Sequence, residues 1–409
     1  MGRIVGLAFG VAVLLPLAAM GQQVGQQFDV QVSDLPAPYA TSSARNGPQT
    51  VARPAGMTLN LPDGFTATLY AENLSHPREL IELPNGDVLV SEPRAGHISL
   101  LRDADGNGQA ELIETFVDGM IAPYGMALHD GYLHIADGRG VFRVPYADGD
   151  VSASAAPEAI TDIGVFGSGR GHWTRSLAFH PTENRFYVGV GSRGNIDVED
   201  EPRATIMEFT LNDGEAADGR IFAGGLRNAV GVAFYPGSTD LFTVVNERDG
   251  MGDGLVPDYL TSVQDGGFYG WPYAYLGPNP QPGFADRRPD LVAASIEPDL
   301  LFMSHSAPID VAFYEGRAFP ADYHGDAFVS LRGSWNRSDP TGYIVVRVPF
   351  ENGAPSGGYE VFATGFRLDD GASRAQVWGR PTGLLVTSDG ALLIADDTSG
   401  TIWRITYEG

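Results

Sequence analysis

All 26 basic residues of this chain are arginine; no lysine occurs. A Schiff base or a deprotonated lysine is therefore excluded. Any fixed positive charge in a site must be a guanidinium, which stays protonated and grips flat carboxylates through two parallel donors. Arg78, Arg175, Arg227, Arg332 and Arg380 fall at or close to the starts or ends of strand-like apolar runs. Several of them converging on one mouth would bind a planar polyanion, whereas any one alone could equally be a surface ion pair. His172, beside Trp173, stands in the same kind of position; in isolation it would read as a hydrogen-bonded core histidine.

A cation signal lies elsewhere. From Asp103 the chain reads DADGNGQAELIE, with Asp103, Asp105, Asn107 and Glu114 at ligand positions of a calcium loop and Gly108 at its turn position. The flanks, ISLL and ETFVDG, are strand-like, so the pattern predicts a hairpin loop of a first blade rather than a helix-loop-helix unit. It would either hold a structural calcium or be a solvated acidic turn.

The elements that must position these residues repeat. Six short polar openings, His76-Pro77-Arg78, Ala122-Pro123-Tyr124-Gly125, Gly171-His172-Trp173-Thr174-Arg175, Leu226-Arg227-Asn228, Ser304-His305-Ser306-Ala307-Pro308 and Gly379-Arg380-Pro381-Thr382, each precede a run of alternating apolar residues and a Gly/Asp turn. Alternation of period two with Pro-Asn-Gly, Asn-Asp-Gly or Ser-Asp-Gly at hairpin positions is strand chemistry. A repeated scaffold with non-repeated polar residues at one fixed point per unit predicts an all-β, six-bladed β-propeller whose openings converge on one mouth. Gly64 to Leu74 lacks an opening and is expected to pair with the last blade, closing the ring.

Residues 1–21 combine Arg3, an apolar run and Ala19-Met20-Gly21, the pattern of a cleaved secretory signal. Residues 22–58, rich in Gln, Ser, Pro and Ala, are expected to form an extended leader, and 59–409 the propeller. The absence of cysteine excludes disulfides, thiolate metal sites and covalent c-type haem. The net charge of −25 argues against a nucleic-acid partner. The expectation is a periplasmic or secreted protein, not membrane-spanning after signal cleavage.

Taken in order, GHWTRSL (171–177), GLRN (225–228), NERDGMGD (246–253) and GFYGWP (267–272) resemble the quinoprotein sugar dehydrogenases, most closely the L-sorbosone dehydrogenase branch, from about Leu59 to the C-terminus. The resemblance implies a six-bladed propeller with pyrroloquinoline quinone (PQQ) at the channel mouth and calcium as a bridging cation. It makes His172 the base that takes a hydroxyl proton while the adjacent carbon delivers hydride to the quinone, a task suited to a side chain that titrates near neutrality. Arg227 would stabilise charge on the quinone oxygen and Asn228 would hydrogen-bond the cofactor. The calcium would sit on the backbone carbonyls of Asp249 and Gly250. Arg332 falls where the glucose enzymes carry lysine and Arg380 on one of their cofactor-facing arginines, while Thr382 replaces the second. His305 falls where a threonine meets the quinone carboxylate, and Arg78 is a further cofactor-side candidate. These departures put glucose in doubt as substrate.

The implied activity is a quinone- and calcium-dependent oxidation of an aldose or sugar aldehyde, with a separate cytochrome or quinone pathway as electron acceptor. A calcium-dependent lactonase or hydrolase would want carboxylates on a central metal. A non-catalytic binding propeller would bind no quinone. Loops in Leu255–Asp290 and Gly333–Gly342 are where sugar specificity is expected to lie.

Overall fold

The computed structural model describes residues 22–167, 170–368 and 372–409; the signal-like segment 1–21 lies outside the described residues. The propeller expectation is met. Blade 1 comprises Leu80–Glu82, Val88–Glu92, His97–Arg102 and Leu112–Val117, and blade 2 comprises Met126–His129, Tyr132–Ala136, Val141–Pro145 and Glu158–Ala159. Blade 3 is built from Leu177–Phe179, Arg185–Val190, Thr205–Asn212 and Glu215–Gly224, and blade 4 from Ala229–Phe234, Leu241–Val245, Tyr259–Ser262 and Leu300–Leu301. Blade 5 contains Pro308–Phe313, Ala327–Leu331, Ile344–Val348 and Tyr359–Ala363; blade 6 contains Pro381–Val386, Leu392–Asp396 and Thr401–Tyr407.

Phe65–Ala71 completes blade 6 from the other end of the chain, with Phe65 opposite Tyr407, so the ring closes and the last edge is paired. The leader adds a strand of its own: Gln27–Phe28 pairs with Tyr359 and Glu360 on the outside of blade 5.

Local sequence explains the hairpins. Asp130-Gly131, Asp213-Gly214 and Asn352-Gly353 all have positive φ at both residues, the turn whose twist matches a two-residue hairpin. Between blades, both faces of the middle strands are buried. Leu89, Ile98, Leu100, Leu133, Ile135 and Val144 form one such layer between blades 1 and 2, and truncating Leu100, which is fully buried, would cost about 2–5 kcal/mol. Near the axis the inner strands approach closely: a Cβ on Gly383 of blade 6 would fall 1.8 Å from the Arg78 carbonyl oxygen. Tyr124, Val230 and Ile309 pack together with Trp173, an apolar cluster drawn from the inner-strand starts of four blades.

Candidate functional site

In an antiparallel blade the first strand begins where the second ends, and pairs such as Ala229 with Val245, Pro308 with Leu331 and Pro381 with Asp396 place both at the same end of the propeller. The site therefore draws on the six openings and equally on the segments that leave the second strands. These latter segments supply Ser192, Asn195, Asn246, Asp249, Arg332, Asn336 and Asp397. Of these, sequence reasoning had singled out only Asp249 and Arg332.

Asp397 organises one half. Its carboxylate accepts Arg78 Nη2 at 2.6 Å and Arg332 Nε and Nη2 at 2.8 and 3.2 Å. His76 Nε2 lies 3.0 Å from Arg78 Nη2, and His76 Nδ1 is 3.0 Å from the Asp397 carbonyl oxygen. Burial alone would raise the Asp397 pKa, but Arg78 and Arg332 hold it well below the usual carboxylate range. Burial pushes His76 down to about 4, so it is neutral near pH 7. Arg380 donates to the carbonyl oxygens of Arg332 at 3.0 Å and Gly333 at 2.7 Å. Burial and the nearby Arg332 lower Arg380 to about 10, still protonated. Two guanidiniums thus meet one carboxylate, with Arg380 on the carbonyl oxygens beside them, and the surplus is positive.

The other half is built on blades 3 and 4. His172 Nδ1 is 2.9 Å from the Ser192 carbonyl oxygen and 3.1 Å from Ser192 Oγ. A carbonyl can only accept, so Nδ1 carries the proton and the lone pair is on Nε2, which has no partner among the described residues. Burial, then Arg227, lowers His172 to about 4. This departs from the near-neutral titration expected from sequence, because the imidazole is buried beside a guanidinium.

Arg227 is held by three hydrogen bonds, Nε to Asn195 O at 3.0 Å, Nη1 to Asn246 O at 3.0 Å and Nη2 to Asn195 Oδ1 at 3.1 Å, with Asp249 3.5 Å away. Asn228 is buried, and its Oδ1 has no donor among the described residues. Gly191 lies between the two functional side chains: a Cβ there would come within 2.4 Å of Asn228 Oδ1 and 2.6 Å of His172 Cβ. The backbone leaves this volume clear.

The halves touch. Trp173 underlies the Arg78 guanidinium at 5.3 Å and meets Tyr124 edge-on at 5.7 Å. On the opposite side Asn336 Nδ2 donates to Asp249 Oδ1 at 2.6 Å and lies 3.1 Å from His305 Nδ1, while His305 Nε2 is 3.0 Å from the Gly252 carbonyl oxygen. Burial works against a charged His305, yet Asp249 and the Gly252 carbonyl leave its pKa raised.

The structure thus brings together His172, Arg227, Asn228, Arg332, Arg380, His305, Arg78, Asp249 and Gly250. As folded, the Asp249 carbonyl oxygen accepts Asn195 Nδ2 at 2.8 Å and Arg248 Nε at 3.1 Å, so a cation taking that oxygen displaces a donor. The Gly250 carbonyl accepts no hydrogen bond among the described residues.

Away from this site, the Asp103 loop closes differently from its sequence pattern. Ligand oxygens of Asp103, Asp105 and Glu111 lie within 4.8 Å of one another. Asn107 Nδ2 donates to Glu111 Oε1 at 2.9 Å. Glu114 stands in the outer strand of blade 1 opposite Leu100 and is exposed, because the ladder begins at Leu112. The loop's third carboxylate is therefore Glu111. Asp103 also accepts the backbone N–H groups of Gly106, Asn107 and Gly108, the work of an Asx turn.

A ring of six blades with a polar, arginine-rich mouth and a neutral imidazole defines a β-propeller whose functional groups gather at one end. The chain belongs to the TrAA12-like family, whose model matches residues 59–256 and 286–408. It is 26% identical over 408 aligned positions to the PQQ-dependent pyranose dehydrogenase of Coprinopsis cinerea, covering 85% of this chain and 54% of that protein. The holo PQQ domain of the Coprinopsis enzyme superposes with a TM-score of 0.72 at 22% identity, over 88% of this chain and 99% of that domain. The calcium structure of Trichoderma reesei carbohydrate-active enzyme family AA12 gives 0.73 at 20% identity, over 88% and 100%. The resemblance read from the motifs is thus met at the level of family and fold. The matched segments omit 257–285, within the insertion between Leu255 and Asp290. No helix among the described residues is long and apolar enough to cross a membrane.

Proposed function

We propose that this chain is a PQQ-dependent dehydrogenase of an aldose or sugar aldehyde, a sorbosone-like substrate being the specific candidate. The observation that carries the reading is the pairing of a surplus of positive charge, at buried Arg78 and half-buried Arg332 and Arg380, with a neutral His172 whose Nε2 lone pair is unengaged. PQQ is a planar polycarboxylate, which suits that charge. The buried, donorless Asn228 Oδ1 and the volume kept clear by Gly191 fit a flat polar ring system. When bound, the quinone supplies the two-electron acceptor.

The chain's own residues supply the rest. His172 Nε2 takes the proton of the reacting hydroxyl, and the Ser192 carbonyl holds Nδ1–H so that the ring keeps this tautomer. Arg227, fixed by Asn195 and Asn246, is a preset cation facing developing negative charge. The carbonyl oxygens of Gly250 and, were Arg248 to release it, Asp249 would hold calcium as the proposed companion of the quinone. Electrons leave to a separate acceptor, a cytochrome or quinone pathway, and the signal-like residues 1–21 suit a periplasmic or secreted enzyme.

Equilibrium titration of the purified chain with PQQ, with and without calcium, tests the reading. Saturable binding that chelator weakens is expected. A chain that takes up no quinone under either condition is not this enzyme.

A further inference from the structure

The leader, residues 22–58, precedes the segment matched by the family, yet it is lashed to the site. After pairing with blade 5, its Val32 and Leu35 pack on blade 4. The chain then crosses the loops that carry Asp249 and Asn336. Tyr39 N–H donates to the Met251 carbonyl at 2.9 Å, Asp253 N–H donates to Thr41 Oγ1 at 2.8 Å, and Asn46 N–H donates to the Trp335 carbonyl at 2.7 Å. Asn46 Nδ2 reaches the Ser338 carbonyl at 2.9 Å, and Gln49–Thr50 then runs parallel to Gln376–Val377.

Two side chains of this region are conspicuous for what they leave in water: Tyr39 is 57% exposed and Trp335 48%. Tyr39 holds a positive φ of 64°, strained for a non-glycine residue, with its N–H pinned to Met251. The Met251 carbonyl that it bonds lies two residues past Asp249, whose own carbonyl accepts Arg248 Nε. Trp335 immediately precedes Asn336, which bonds Asp249 and contacts His305. Large aromatic faces exposed on ordered backbone beside a site are suited to a ligand with an apolar face and a polar edge. A pyranose ring has both.

We propose that Tyr39 of the leader and Trp335 form an outer saccharide subsite, which takes the second ring of a reducing oligosaccharide whose terminal unit is oxidised beside His172. The proposal rests on the sugar-dehydrogenase reading and names its substrate class. The leader is then a wall of the site, and Thr41 and Asn46 hold that wall in register with the Asp249 loop.

The test compares a disaccharide with the monosaccharide of its reducing end, as the ratio of kcat/KM, for the reconstituted wild type, Tyr39→Ala and Trp335→Ala. Saturation-transfer NMR of each sugar on the quinone-free proteins gives a second readout. Each variant should lower the disaccharide-to-monosaccharide ratio about tenfold, the size of one lost ring contact, and weaken the NMR contact to the non-reducing ring. A ratio equal to wild type in both variants, with quinone affinity intact, overturns the subsite and leaves the dehydrogenase standing. A wild type that binds no quinone and oxidises neither sugar overturns the dehydrogenase reading, and the subsite with it.

Discussion

On the side of blades 5, 6 and 1, Arg78 and Arg332 converge on a single carboxylate, Asp397, and Arg380 donates to the carbonyl oxygens of Arg332 and Gly333. On the side of blades 3 and 4, Arg227 and Arg248 are set among Asp249 and Glu247, the latter raised to about 7 by burial, and the proposed base, His172, is an uncharged imidazole. The same residue types give different charge balances because the second-strand ends differ: ADDTSG delivers the buried carboxylate of Asp397 to its arginines, whereas VNERDG alternates acids and bases. A site with a surplus of positive charge on one side and a neutral base on the other separates holding an anion from moving a proton. The first half should govern affinity and the second turnover.

The strongest break in that division is His172→Ala, which should lower kcat by about 10²–10⁴-fold while quinone affinity stays within a few-fold; stopped-flow reduction and quinone titration on one preparation separate the two. Next comes Asp397→Asn, which leaves buried Arg78 and half-buried Arg332 without their counter-charge and should destabilise the quinone-free protein by about 3 kcal/mol in urea melts, with bound quinone restoring part of the loss. Wild-type stability after this change would mean that Arg78 and Arg332 do not depend on this one acid. A smaller effect is expected of Arg380→Gln, whose guanidinium donates to carbonyls: quinone affinity should fall about 10–100-fold with kcat at saturating quinone little altered.

The mildest test is pH. His172 must be neutral to act, and its pKa is lowered to about 4, so turnover should hold through pH 6 and fall only as pH approaches 4. A half-loss near the unperturbed value of about 6.5 would place the imidazole in water. Folding is linked with the same sign. His76 and His172, both near 4 when folded, bind protons in the unfolded chain first, so their contribution to stability is present above pH 6.5 and is lost as pH falls from there toward 4. Buried Asp258 and Asp396, raised to about 6, act in the opposite sense, losing stability as pH rises from their unfolded values through 6.

Much of this was legible in the sequence, and the part that was not has a physical reason. The openings stand out because His172, Arg227 and Arg380 interrupt an alternating strand pattern, and that pattern also gave the blades and the closing strand near Phe65. Asn195, Asn336 and Asp397 were invisible as site residues because Asn and Asp after a strand look like turn formers. Asn195 and Asp397 capture arginines, and Asn336 bonds Asp249, only once different blades are brought together. Glu111 was missed for Glu114 because a spacing rule assumes the loop runs its full length, whereas here the strand starts at Leu112. The His172 shift is a property of burial, which no spacing reveals. A repeated polar run after each second strand, as in GSRGNID, VNERDG, LRGSWNR and ADDTSG, was the available signal for the missing half.

The most direct test of the whole account is dye reduction by the purified mature chain, reconstituted with PQQ and calcium, across aldoses and sugar aldehydes. The account predicts reduction that requires quinone, is lost on chelation and is selective among the sugars. A chain that binds the quinone fully and yet reduces no dye with any sugar or aldehyde would contradict it.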